Sequence, residues 1–187
     1  MRIALVLLLV ASPALAETYQ PKKDRERLGK TTSHGAVPAP GTKPAKLVNL
    51  YNKWTLDWLA VDPTSLPSVG EVNIFLRDHF TNESTQMDPK LIGTVVLAAK
   101  QFKSDFAQVV SGFRHPKYNL MLRKKGHQVA RDSQHTHGNA VDFLIPNVTT
   151  KKLHEWAVAQ HLGGVGIYLE SGFVHMDTGP IRFWAGD

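Results

Sequence analysis

The sequence predicts an α+β fold, in which a small antiparallel sheet carries a metal site and has helices packed on one of its sides. Two observations predict this fold. Short apolar segments with β-branched residues indicate strands, and other segments place apolar residues at helical spacing after helix-capping residues. The chain has no internal repeats, and residues 47–187 suit one domain with a single core.

The pattern along the chain places the helices and strands. Residues 47–61 are rich in aromatic residues, and their hydrophobicity alternates as in a strand. This pattern does not decide their structure. Ser68 is an N-cap candidate for a helix over 68–80, and Asp88 with Pro89 begins a second helix that we expect to run to about Phe106. The remaining patterns predict a strand over 107–113, short helices over 117–125 and 151–161, and strands over 140–145 and 172–177.

Two distant segments hold residues that suit one metal site. Asp142 lies inside an apolar strand, where a buried carboxylate needs a partner. Alternation puts His175 and Asp177 on one strand face, so Asp142 meets His175 if the two strands are neighbours. Gly138 offers a turn that brings His135 over Asp142. Two imidazoles and one carboxylate suit a catalytic zinc, because three protein ligands leave the fourth position open for water.

Several ordered motifs carry a family resemblance over roughly Leu47 to the C-terminus. Residues 133–142 match the SxHxxGxAxD signature of the D-alanyl-D-alanine metallopeptidases, the LAS group, which has the hedgehog signalling domain among its relatives. Residues 110–116 with Asn119 resemble the family's SGYRSPxxN segment. Residues 163–168 and 171–184 resemble the C-terminal signature of the MepK-like murein endopeptidase branch.

The resemblance implies a secreted zinc metallopeptidase that hydrolyses amide bonds in peptidoglycan stem peptides or cross-links. It makes His135, Asp142 and His175 the zinc ligands and implies an LAS or hedgehog-like fold. Arg114 falls where the family has a substrate-side arginine, and a guanidinium there can pair a carboxylate or stabilise an oxyanion. The MepK-like branch implies endopeptidase action, while the wider family also contains D,D-carboxypeptidases.

The sequence departs from the wider family at the general base. Gly172 and Phe173 occupy the positions where many relatives carry an acid or a histidine. Asp177 and Glu170 are the nearby acids that can take the role of catalytic base. Asp177 is equally suited to orienting a ligand imidazole. Because the usual base is missing, a catalytically inactive zinc-containing module that binds peptidoglycan is the alternative reading.

His137 is a spare histidine in the first motif. We expect it to be exposed or to support the site without binding the metal.

The N-terminal segments predict export. Residues 1–16 have a positive start, a short apolar stretch and a small-residue cleavage site, as a signal peptide does, and the apolar stretch is too short to span a membrane. The chain has no cysteine, which excludes disulfides and thiolate ligands. We therefore expect a periplasmic or secreted protein without a transmembrane segment in its mature form.

Most of the net positive charge lies in a linker after the signal peptide. Residues 17–46 hold seven Lys/Arg and three acids, a net charge of +4, with many Pro, Gly and Thr residues, so we expect a flexible linker. Electrostatic contact of this basic arm with an anionic envelope surface is a candidate interaction. Export and the lack of interleaved aromatic residues argue against nucleic acid as a partner.

Overall fold

The computed structural model of the protein describes residues 46–126 and 129–186. The signal peptide expected over 1–16, and the basic arm except its last residue, lie outside the described residues. Within this part of the chain, no helix has the length and apolar character needed to cross a bilayer.

The described residues form an α+β fold with one sheet and four α-helices. The strands are β1 (Val48–Asn52), β2 (Trp58–Val61), β3 (Phe106–Ser111), β4 (Ala140–Leu144), β5 (Gly164–Tyr168), β6 (Phe173–Asp177) and β7 (Arg182–Gly186). The helices are α1 (Val69–Phe75), α2 (Pro89–Gln101), α3 (Pro116–Lys124) and α4 (Thr150–Ala159), with a short 3-10 helix at Gln134–His137.

The sheet is larger than expected, and it is mixed. Its strand order is β2-β1-β3-β4-β6-β5-β7, and the β1–β3 and β5–β7 pairs are parallel while the other pairs are antiparallel. The expectation of a small antiparallel sheet was therefore wrong. Residues 47–61 add β1 and β2, and the chain after Asp177 adds β7. Parallel neighbours are joined by long crossovers, so local sequence patterns do not reveal them.

The two faces of the sheet have different partners. Val109, Phe143 and Val174 lie side by side in register on one face, and all three are buried. Helix α2 contacts β1, β3 and β4 on this core, and α4 contacts β5 and β6 beside it. Asp142 and His175 alternate with these residues and face the opposite side. The apolar core thus holds the strands in place under a polar face.

The helix starts agree with the predicted caps, but two helices end early. Ser68 and Glu71 form a reciprocal capping box at α1, and the Asp88 carboxylate accepts the Lys90 amide at α2. Helix α1 ends at Phe75 because the following Asp78 carboxylate accepts two later amides and builds a turn instead. Helix α2 ends at Gln101, and Lys103, two residues later, adopts a positive φ of 54°.

The chain after β3 packs tightly against the end of α1. The Phe113 amide donates to the Leu76 carbonyl at 2.7 Å. A Cβ atom added to Gly112 would lie 2.6 Å from that carbonyl oxygen and 2.7 Å from the Leu76 Cβ. Only glycine fits this approach, which leads directly to Arg114.

Replacing Gly112 with alanine is expected to lower the free energy of unfolding by about 1–3 kcal/mol, because backbone must move to remove the clash. Urea unfolding measures the change. Gly70→Ala is the matched control, since the nearest atom to its added Cβ is 4.0 Å away and alanine favours the helix by about 0.5–1 kcal/mol. Equal stability of Gly112→Ala and wild type would contradict the packing argument.

Candidate metal centre

The structure brings together the three residues expected to bind metal. Asp142 of β4 and His175 of β6 are direct partners in the antiparallel register. His135 lies in the short 3-10 helix, and Gly138 at its end has a φ of 75°, which turns the chain into β4. All three side chains are buried, although two are ionisable imidazoles and one is a carboxylate.

We call the side chains of His135, Asp142 and His175 the ligand group. Their nitrogen and oxygen atoms lie at distances from one another that are typical of a metal site. His135 Nε2 is 3.1 Å from His175 Nδ1 and 3.2 Å from an Asp142 oxygen, and His175 Nδ1 is 2.8 Å from the other Asp142 oxygen. A tetrahedral zinc with bonds of about 2.0–2.1 Å would separate its ligand atoms by about 3.3 Å. The group therefore needs only a slight expansion to hold such an ion.

The hydrogen bonds of the two rings fix which nitrogens face the site. His135 Nδ1 donates to the Gly112 carbonyl at 2.7 Å, and His175 Nε2 donates to Asp177 at 2.9 Å. Neither acceptor can donate, so both protons belong on those outer nitrogens. When both rings are neutral, as a metal requires, their inner nitrogens present lone pairs to each other and to the Asp142 carboxylate. Three converging lone-pair donors suit a divalent cation, so this donor set fits zinc.

The electrostatics of the site also call for positive charge. Burial alone would raise the pKa of Asp142, yet the two histidines hold it far below its usual value. Burial would lower the pKa of His175, but Asp142 and Asp177 together raise it. The pKa of His135 is lowered, mainly by burial, which favours the neutral ring that a metal requires.

Asp177 is buried and fully engaged by donors. It accepts the His175 ring nitrogen, the Gly164 amide at 3.0 Å, the Gly179 amide at 2.9 Å and the Arg182 guanidinium at 2.7 Å. Burial would raise the pKa of Asp177, but these bonds lower it to about 2. It contacts the edge of His175 that points away from the site. This geometry favours the orienting role over the general-base role.

The other expected site residues take different positions. Arg114 lines the cavity, and its guanidinium has no hydrogen bond or ion pair with any described residue. Glu170 is exposed in the turn between β5 and β6 and is not part of the cavity wall. His137 is exposed and pairs with Asp132, away from the ligand group.

A cavity of about 550 Å³ opens above the ligand group. Its aromatic wall has Trp184 5.0 Å from the His175 ring centre, and the Trp184 indole donates to the Tyr168 hydroxyl at 3.2 Å. Tyr168 in turn stacks on Phe173. The cavity thus combines the three candidate metal ligands, a guanidinium that has no partner among the described residues, and an aromatic wall.

Arg182 and Trp184 are site residues to which the sequence had given no role. They lie opposite Gly164 and Gly166 in the parallel β5–β7 pair. A Cβ at Gly164 would be 2.6 Å from Arg182, and one at Gly166 would be 2.5 Å from the Trp184 ring. The two alternating glycines were the available signal, because glycines on one strand face mark a close approach by other groups.

Curated relatives share this part of the chain. Proteins named peptidoglycan L,D-endopeptidase MepK from Escherichia coli K12 and Shigella flexneri are each 36% identical over 117 residues. A protein named "Probable peptidoglycan L,D-endopeptidase MepK" from Haemophilus influenzae is 35% identical over 118 residues. The matches cover 62% of this chain and 63–64% of the relatives' own length.

No solved structure matches the chain significantly. A family model described as peptidoglycan L,D-endopeptidase MepK matches residues 45–184, which include every helix and strand described above except the last two residues of β7. The chain belongs to this family.

Proposed function

We propose that the chain is a zinc-dependent peptidoglycan endopeptidase that cleaves an L,D-amide bond in stem peptides or their cross-links. The observation that carries the proposal is the convergence of three buried candidate metal ligands in the wall of a cavity that also holds the Arg114 guanidinium, which has no partner among the described residues. The names of the relatives supply the substrate class and the bond type.

His135, Asp142 and His175 would hold the zinc, which when bound would polarise the scissile carbonyl and lower the pKa of a water molecule. The protein's own part is to fix the ligands. The Gly112 carbonyl and Asp177 lock the two imidazoles in the tautomers that face the ion. Such outer partners orient the rings and raise their basicity.

Arg114 would bind the substrate. Its guanidinium faces the cavity without a partner in the described residues, and stem peptides carry carboxylates. A fixed fork of N–H donors can pair a carboxylate bidentately or stabilise the oxyanion that develops during amide hydrolysis. Both roles place the reacting amide between Arg114 and the ligand group.

Two acids are candidates for the catalytic base. Asp177 is held by five donor contacts on the far side of His175, so we assign it to orienting that ring. Glu170 is the second acid. It is exposed, but its turn also carries Ser171, which lines the cavity.

A D,D-carboxypeptidase of the same family is the second candidate. The Arg114 guanidinium favours carboxypeptidase activity, because a carboxypeptidase must recognise a terminal carboxylate. Mass spectrometry of purified muropeptides after incubation with the zinc-loaded protein separates the two. Loss of a terminal residue indicates a carboxypeptidase, and cleavage of cross-linked dimers indicates an endopeptidase. Intact muropeptides, with and without chelator, would indicate an inactive binding module.

We also propose that the chain works in the periplasm or outside the cell, where its substrate class lies. The signal peptide over 1–16 and the cationic linker over 17–46 support this location. The net charge of +4 in the linker would favour contact with anionic envelope polymers.

The first prediction concerns the metal. The purified protein should bind about one zinc per chain, and His135→Ala and His175→Ala should each lose it, since two remaining ligands hold zinc poorly. Elemental analysis after dialysis measures the content. His137→Ala is the matched control and should keep its zinc, because that ring is exposed and paired with Asp132. Unchanged zinc in both ligand variants would refute the site.

The second prediction concerns Arg114. Arg114→Ala should lower kcat/KM for muropeptide cleavage by about 10²–10³-fold, because an oxyanion or carboxylate partner is lost. Arg114→Lys should recover part of the rate, as a point charge without the planar fork. Zinc content should stay at the wild-type level in both variants. Wild-type kcat/KM in Arg114→Ala would contradict the assignment.

The third prediction separates the two roles of Asp177. Asp177→Asn should weaken zinc affinity by about 10–100-fold, and excess zinc should restore activity, because the ring loses its anionic partner. Competition with a chromogenic chelator measures the affinity. Lost turnover with unchanged zinc affinity would instead make Asp177 the base. Glu170→Gln is tested in parallel, and a large rate loss with zinc retained there would assign the base to Glu170.

A further inference from the structure

Four aromatic side chains form a cluster outside the metal-site cavity. Trp54 stacks on His79 with ring centres 5.1 Å apart, and Phe80 stacks on Tyr118 at the same distance. His79 meets Tyr118 edge to face at 5.0 Å, which joins the two stacks. We call these four residues the aromatic cluster.

The cluster is exposed although its rings are large and flat. Trp54 has 54% and Phe80 has 57% of its surface exposed, and His79 is also exposed. Each stacked ring has one face covered by its neighbour, so much of this exposed surface belongs to the outward face. Adjacent exposed rings of this kind mark an interaction site more often than scattered single residues do.

Buried polar side chains hold the cluster in place. The Asn52 amide donates to the Phe75 carbonyl at 2.8 Å, and its oxygen accepts the Trp54 amide at 3.1 Å. The fully buried Asp78 carboxylate accepts the Phe80 amide at 2.7 Å. The backbone that carries Trp54 and Phe80 is therefore fixed before any ligand arrives, which reduces the entropy lost on binding.

The same anchor connects the cluster to the metal-site cavity. The second Asp78 oxygen accepts the His115 amide at 2.8 Å, directly after Arg114 in the chain. Tyr118 lies in the first turn of α3, four residues after Arg114. Arg114 of the cavity wall and Tyr118 of the cluster therefore belong to one short segment, so one substrate can contact both.

We propose that the aromatic cluster binds the glycan strand of peptidoglycan while the attached peptide enters the cavity. The proposal rests on the proposed function for its substrate. The C–H bonds on the face of a pyranose ring carry partial positive charge, and an aromatic face is negative, so the two stack. The two exposed rings, Trp54 and Phe80, supply faces for two sugars of one strand. The ammonium of the exposed Lys53 lies over the Trp54 ring, 5.3 Å from its centre, so this flexible side chain would move aside and donate to a sugar hydroxyl.

The size of the cluster favours a glycan over a protein partner. A stable protein interface buries about 800 Å² on each side, and an aromatic side chain contributes about 150–250 Å² at most. Two half-exposed rings with two partly covered neighbours fall well short of such an interface. One sugar needs one ring face, so the cluster matches a short stretch of glycan.

Binding of peptide-free glycan strands to the full chain tests the proposal. Trp54→Ala and Phe80→Ala should each weaken binding about 2- to 10-fold, and the double variant by about tenfold or more. Phe80→Tyr keeps the ring and should keep the affinity. Trp58→Ala is the matched control, because Trp58 is 63% exposed but its ring contacts Tyr51 and Phe106, which are not part of the aromatic cluster. It should bind like wild type.

Kinetics give a second readout. The kcat/KM for cross-linked muropeptides with their disaccharides, divided by that for the same peptides without sugars, should fall about tenfold in the double variant. Equal glycan affinity in wild type and the double variant, or no glycan binding by wild type, would overturn the proposal. A cluster that docks a protein instead would give equal glycan affinity in wild type and the double variant. If wild type cleaves no muropeptide, the proposed function fails while glycan binding still tests the cluster.

Discussion

Three buried lone-pair donors that face one another are the constraint on which the rest of this structure depends. Two neutral imidazoles and the Asp142 carboxylate would repel at separations near 3 Å without a positive charge between them. The fold therefore places charged groups where burial is costly, and it holds them with rigid supports. The antiparallel β4–β6 register sets Asp142 beside His175, and the turn at Gly138 adds His135 from above.

The supports of this ligand group extend through the sheet to its surface. Arg182 neutralises Asp177, Asp177 accepts the proton of His175, and His175 faces Asp142. An isolated buried carboxylate would be strongly destabilising, but Asp177 has a partner of opposite sign in Arg182 and a proton donor in His175. Both Asp177 oxygens are already engaged by donors among the described residues.

Local sequence patterns were sufficient for the ligand group and insufficient for its surroundings. The alternation around His175 and the apolar context of Asp142 predicted that both residues share one sheet face, and the strand register confirms this. The predicted N-caps Ser68 and Asp88 are also confirmed. The sequence could not reveal the parallel β5–β7 pair, because that pairing depends on contacts across a crossover. Arg182 thus had no visible partner, and Asp177 seemed free to act as a base.

The aromatic wall of the cavity and the aromatic cluster outside it come from opposite ends of the domain. The C-terminal strand β7 brings Trp184 over Gly166 beside His175, while the turn after β1 brings Trp54 to the cluster. Strand β3 connects these regions, since it pairs with β1 and leads through Gly112 to Arg114. The Gly112 carbonyl also fixes the His135 ring. One short segment therefore positions the His135 ring and carries the guanidinium that lines the cavity, so its backbone fixes where these two residues lie relative to each other.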